Sequence, residues 1–202
     1  MDPTGVTVRP ARPDAIDARA FARLLDQAQE GWFRMALGRT ASATITEAFC
    51  QEDNEFSHRS TTVAEVEGEP VGMVTAYSGE ERRGFGPNPI DLGHRRDLRY
   101  RAVSAASSRM LEFLSDVPPD DYYVRAIAVD AAQRGKGVGT VLLEAAAEAG
   151  RDAGCRRLAL DVAGSNRRAR GLYERLGMVQ AAESARFLGL ANTNVRRMVR
   201  DL

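Results

Sequence analysis

From Tyr122 to Val162 the chain reads as a strand, a glycine-rich turn, a helix and a second strand. That succession restricts the fold more than any other feature. Tyr122–Val129 (YYVRAIAV) is apolar almost without a break toward its end, the pattern of an interior strand covered on both faces. The loop from Asp130 to Gly137 leads into a helix predicted from Val138 to Ala153, with an apolar stripe of Val138, Val141, Leu142, Ala145, Ala146 and Ala149. Gly154 can end that helix, and Leu158–Val162 is the next strand. A buried strand that feeds a helix and then another strand demands a sheet with helices laid on it.

The rest of the chain fits that frame. Gly5–Arg9 is a short strand ended by Pro10, and Asp14 caps a helix with Asp17 three residues on. Its inner face is read as Ile16, Ala20, Phe21, Leu24 and Leu25. A second helical region covers Trp32–Leu37 and Ile45–Phe49, and the polar stretch Gln51–Ser60 is a loop. Thr61–Val66 and Val71–Tyr77 flank Glu67-Gly68-Glu69-Pro70 as a hairpin. Ser78–Pro89 is read as a loop. A helix follows between Asp97 and Ser115, with Val103, Ala106, Met110, Leu111 and Leu114 at helical spacing, and Pro118-Pro119 closes it. Gly164-Ser165-Asn166 opens a helix that runs to Leu176 and stops at Gly177, and the tail from Ala185 to Arg200 reads as two strands or a hairpin. The expectation is an α/β fold with a mixed sheet and helices on its faces. A length of 202 residues suits one domain, with an extra helical insertion at about 79–121.

Charge and cysteine content exclude several classes. Lys+Arg and Asp+Glu are both 28, so the basic excess of a nucleic-acid binder is missing. No run approaches the ~20 apolar residues of a membrane span, and the first residues lack the apolar core of a signal peptide, which makes the cytoplasm the expected location. Cys50 and Cys155 stand alone, so neither a disulfide framework nor a metal site is expected.

Chemistry concentrates in Gln133-Arg134-Gly135-Lys136-Gly137-Val138-Gly139. Three glycines in five positions let backbone N–H groups converge without Cβ clashes, and a helix N-terminus adds its positive dipole end. Arg134 and Lys136, the one lysine of the chain, add charge. A di- or polyphosphate is the matching ligand; a turn that serves only tight strand-to-helix packing is the alternative. A Walker loop is excluded because Gly137, not Ser or Thr, follows Lys136. The glycine spacing also departs from the dinucleotide fingerprint, although Asp161, at the end of the next strand, stands where that fingerprint places a ribose-binding acid.

The run Ile127-Ala128-Val129-Asp130 followed by Gln133–Gly139 resembles the acetyl-CoA signature of the GCN5-related N-acetyltransferase superfamily. Asn166, Ala169 and Leu172-Tyr173-Glu174-Arg175-Leu176-Gly177 resemble that family's second motif, with Met178 in place of its phenylalanine. The resemblance spans about Tyr122 to Val179; the earlier half matches in element order alone. It implies a mixed, mostly antiparallel central sheet with helices on both faces. It implies acetyl-CoA as acyl donor, an amine as acceptor, no metal, no nucleic acid, no membrane, and a fold in which homodimers are common. By the resemblance, the CoA pyrophosphate would lie on Arg134, Gly135, Lys136, Gly137, Val138, Gly139 and Thr140. The pantetheine arm would pair with the edge of the strand at Ile127, Ala128 and Val129. Asn166 and Ala169 would support the arm, although Asn166 is equally a helix N-cap. Tyr173 would be the general acid to the departing thiolate, with a core-packed tyrosine as its alternative.

No carboxylate stands near Tyr123, where many members carry a base. Asp120, Asp121, Glu65, His58 and His94 are weak candidates, and proton loss to water needs none of them. Trp32, Phe33 and Arg34 on one side, and Glu80, Glu81, Arg82 and Arg83 on the other, are read as core and solvated surface rather than as an acceptor cleft. Two further readings stay open: a non-catalytic acyl-CoA-binding module of the same fold, and an NAD-dependent enzyme built on the loop and Asp161.

Overall fold

The computed structural model describes residues 5–94, 97–185 and 194–202. Among the described residues seven strands form one sheet in the order β1-β2-β3-β4-β5-β7-β6. The strands are β1 Val6–Pro10, β2 Thr61–Val66, β3 Glu69–Ser78, β4 Asp121–Val129, β5 Arg157–Ala163, β6 Val179–Glu183 and β7 Val195–Asp201. All pairs are antiparallel except β4 with β5. The expected mixed, mostly antiparallel sheet is therefore present, with β4 at its centre.

Helices cover both faces. On one face lie α1 (Ala15–Ala28), α2 (Trp32–Leu37) and α3 (Ala41–Cys50), with α5 (Pro89–His94) and α6 (Leu98–Ala106) behind them. Their core gathers Phe21, Leu25, Phe33, Ile45, Phe49 and Phe56 against Met73, Ala126 and Ala128 of the sheet. On the other face α8 (Val138–Asp152) and α9 (Arg167–Arg175) bury Leu142, Leu143, Ala146 and Tyr173 against Val74, Val124, Leu158 and Leu160. The two cores meet the two faces of β3 and β4, which explains why each strand is apolar over most of its length.

Several details depart from the sequence reading. Asp14 does cap α1, accepting from the N–H groups of Ile16 and Asp17. Ile16, however, is 59% exposed, and Asp17 takes the inward place. Its carboxylate accepts from Arg9 at 2.6 and 2.8 Å and from the Arg12 N–H at 2.7 Å. Burial would raise the Asp17 pKa; the Arg9 guanidinium and the Arg12 N–H overcome that and hold it below the ordinary range. The α8 stripe is turned by one residue, with Leu143 and Ala147 buried where Val141 and Ala145 are only partly covered.

The stretch read as a loop after β3 begins with a helix, α4 (Gly79–Gly84). Ser78 and Glu81 form a reciprocal capping box there. The single helix expected between Asp97 and Ser115 is broken at Ser107 into α6 and α7 (Ser108–Ser115). Ala106 is exposed, and the apolar residues of α7 are only half covered. The first of the two tail strands starts at Val179, before the expected Ala185. Residues 186–193 of the expected tail lie outside the described residues. No described helix is long and apolar enough to cross a membrane.

Candidate active site

The central feature is a parting of two parallel strands. β4 and β5 are paired from Asp121↔Arg157 to Val124↔Leu160 and no further. On its other side β4 is paired with β3 throughout, but the register jumps from Thr75↔Ala126 to Ala76↔Val124. Arg125 is thus the extra residue of a β-bulge, and a bulge bends its strand. β5 instead stays with β7 along its whole length. Between the diverging ends lies a cleft of about 670 Å³. Among the described residues the β5-facing edge of β4 from Arg125 to Val129 has no strand partner.

The loop after β4 closes one end of this cleft. Gly135 and Gly137 adopt φ values of 82° and 87°, where an L side chain would be strained, and Gly137 begins α8. Among the described residues the N–H groups of Gly135 to Gly139 have no protein acceptor. Open amides at the positive end of a 15-residue helix present an environment suited to an anion. The Val129 carbonyl, at the same end, accepts from Gln27 Nε2 and Arg134 Nε, both at 3.0 Å.

Most residues singled out from sequence meet here. Ile127, Ala128, Val129, Arg134, Gly135, Gly137, Gly139, Thr140, Asn166, Ala169 and Tyr173 all line the cleft. Lys136 and Val138 do not. The Lys136 ammonium turns outward to Gln133 Oε1 at 3.0 Å, and the Val138 side chain is buried in the core, leaving its N–H to the loop. The two readings of Asn166 are compatible: its Oδ1 caps α9 by accepting from the Ala169 N–H at 3.1 Å, and both residues line the cleft. Tyr173 is 7% exposed. Burial alone pushes its hydroxyl up to about 12, so it is a protonated phenol at neutral pH. Its hydroxyl has no protein partner among the described residues.

The weaker base candidates lie elsewhere. Asp121 is buried against Arg157 at 2.8 Å, at the paired end of β4. Glu65 pairs with Arg9. His58 meets the Phe49 carbonyl, and His94 meets Thr44. Trp32 and Phe33 pack in the α1–α3 core, Arg34 pairs with Asp26, and Glu80 pairs with Arg83. Asp161 does line the cleft, but it is committed: Arg197 donates to it at 3.1 and 2.8 Å, and the Tyr123 hydroxyl donates at 2.8 Å. A ribose would have to displace an arginine to reach it, which removes the feature that favoured NAD.

Sequence reasoning misses Gln27 and Arg125. Gln27 has no motif around it and reaches the cleft only because α1 crosses β4. Arg125 sits inside an apolar strand, and an arginine there is the one available signal. It is matched by Glu55, whose Oε2 accepts from Arg125 Nε at 2.6 Å.

Comparison with known proteins agrees with this geometry. The model of the acetyltransferase (GNAT) family matches residues 22–178. No curated protein matches the chain. Among solved structures, an N-acetyltransferase from Staphylococcus aureus Mu50 is 21% identical with a TM-score of 0.66, over 96% of this chain and 100% of that one. A polyamine N-acetyltransferase from Drosophila melanogaster is 19% identical with a TM-score of 0.61, over 98% and 100%. A structure described as an acetyltransferase is 22% identical with a TM-score of 0.66, over 96% and 98%. These likenesses carry the fold, and the family model, which spans more than half the sequence and includes both cleft-lining motifs, carries the family. The splayed strands, the glycine loop and the cleft thus have one common setting, and the chain belongs to the GNAT family of acetyltransferases.

Proposed function

We propose that the protein is an N-acetyltransferase that moves an acetyl group from acetyl-CoA to a primary amine by direct attack. The observation that carries this reading is the parting of β4 from β5 beside a loop of unpaired amides. A long donor with a phosphate-rich end suits such a slot. Its pyrophosphate would accept from the amides of Gly135 to Gly139, with Arg134 and Thr140 beside it. Its amide-bearing arm would add to the open edge of β4 at Ile127–Val129 as an extra strand does. Gln27 and Arg134 would then release the Val129 carbonyl. Asn166 and Ala169 would flank the arm from α9.

The acyl end of a donor lying this way reaches the bulge, near Tyr173. The amine nitrogen forms a bond to the thioester carbonyl carbon, and the C–S bond breaks. The leaving sulfur takes a proton from the Tyr173 hydroxyl, which is protonated well past neutral pH. The proton lost by the amine passes to water, because Asp161 is held by Arg197 and Tyr123. Holding amine and thioester in contact would contribute the largest share, since effective molarity can be worth about 7–11 kcal/mol.

The test is release of free CoA thiol from acetyl-CoA in the presence of a panel of amines, with the acetylated product identified by mass. Acetylated amine with stoichiometric thiol supports the reading. Acetyl-CoA binding without turnover of any amine would favour the non-catalytic acyl-CoA-binding module of the same fold.

A further inference from the structure

Arg125 is built as a receptor for an anion. It stands on the bulge of β4 and lines the cleft immediately beyond the last β4–β5 pair. Its Nε is taken by Glu55 at 2.6 Å, and Glu55 is itself held by Asn88 Nδ2 at 3.0 Å. The guanidinium lies over the Phe56 ring, 5.4 Å from its centroid. Those contacts fix the plane of the group and use one of its donors. The two Nη groups have no acceptor among the described residues, and they are not sealed from solvent, since the buried polar atoms without partners do not include them. A guanidinium fixed on one side and open at its end presents two parallel N–H groups, the geometry that matches a carboxylate.

The neighbouring groups offer little to a cation. Asp161 accepts three hydrogen bonds from Arg197 and Tyr123. Arg197 also donates from Nη1 to the carbonyl of Asp116 and from Nη2 to that of Phe113. The open capacity of this end of the cleft is therefore donor capacity.

Resting on the acyl-transfer reading, we propose that the acceptor is an amine that also carries a carboxylate, of the free amino acid class, and that Arg125 binds that carboxylate through its Nη groups. The carboxylate on Arg125 sets the amine beside the thioester carbonyl. A polyamine lacks the group that Arg125 holds, and the acids beside Arg125, Asp161 and Glu55, already accept hydrogen bonds from the protein.

The experiment compares free L-α-amino acids and short ω-amino acids with their own carboxamides as acceptors, with spermidine and agmatine as cationic controls. The expected result is turnover of at least one amino acid with kcat/KM on the order of tenfold to a hundredfold above its amide, the range for losing a charge-assisted hydrogen bond. Arg125→Gln should erase that preference by raising KM for the acid alone, and Arg125→Lys should restore part of it. The wild-type acid-to-amide ratio holds whether or not either variant folds. Equal use of acid and amide, use of the polyamines alone, or no turnover of any amino acid would overturn the proposal. Acetyl-CoA binding, measured in parallel, separates the two readings: if acetyl-CoA does not bind, the acyl-transfer reading falls first.

Discussion

Replacing Gly139 by alanine separates the stability of the fold from the capacity of the cleft. Gly139 is the second residue of α8, and its backbone does not need positive φ. A Cβ there would meet Leu172 Cδ2 at 3.7 Å and Val129 Cγ2 at 3.8 Å, both ordinary contacts. The ligand-free protein should therefore accept the change. Alanine's helix preference is worth up to about 1 kcal/mol over glycine, less in a first turn, so the melting temperature should hold or rise by up to about 4 °C. The new methyl, however, points between two residues that line the cleft. If the donor fills that space, overpacking should cost about 1–3 kcal/mol, or roughly 5- to 150-fold in Kd. Thermal melts of the free protein and calorimetric titration with acetyl-CoA measure the two effects. A lowered melt would mean that the packing around Gly139 is misdescribed. An unchanged Kd would show that the donor does not pass between Val129 and Leu172.

Four further outcomes are expected. Gly137→Asp strains a residue at φ 87° and puts negative charge at the open amides, so acetyl-CoA should no longer produce a titration signal. Tyr173→Phe should keep acetyl-CoA binding and lower kcat by about 10²-fold or more; in the wild type, with that hydroxyl at about 12, its ionisation should cause no alkaline loss of activity below about pH 11. Gly79→Ala would place a Cβ 2.0 Å from the Pro118 carbonyl oxygen, so chemical denaturation should show a loss of about 3 kcal/mol or more. Asp17→Asn should cost about 1–3 kcal/mol, because the buried side chain loses its charge-assisted bonds from Arg9 and the Arg12 N–H while Arg9 keeps Glu65. Because the Asp17 pKa is lowered on folding, its contribution is present above about pH 4 and is lost as pH falls below that; the pH dependence of urea unfolding in the variant should be correspondingly flatter.

The parts of the fold that could be read from the sequence are those whose geometry is written in neighbouring residues. The hairpin of β2 and β3 has its alternation and its turn within eighteen residues of chain, Thr61 to Ser78. The loop after β4 has its glycines where the backbone needs them, and Asn166 and Tyr173 follow at fixed steps on one short helix. What escaped depends on partners far along the chain. Ile16 suits an inner face better than Asp17 until Arg9 on β1 is known to meet that aspartate. Arg125 looks misplaced in a buried strand until Glu55, 70 residues earlier, is beside it. Asp161 resembles a free ribose acid until Arg197, on a strand two places later in the chain, occupies it. Strand β6 has no inner face, since all of its residues are exposed, so no alternation marks it. The α4 capping box of Ser78 and Glu81 lies in a run of glycine, proline and charge that otherwise reads as loop.

Thermal unfolding of the wild-type protein with acetyl-CoA, and separately with NAD, tests the assignment of the cleft most directly. Acetyl-CoA at a hundredfold excess over its Kd should add about 2.7 kcal/mol, a rise of roughly 5–11 °C for a chain of this size, and NAD should add nothing. No shift with acetyl-CoA, or an equal shift with NAD, would contradict a donor lying between β4 and β5 on the amides of Gly135 to Gly139.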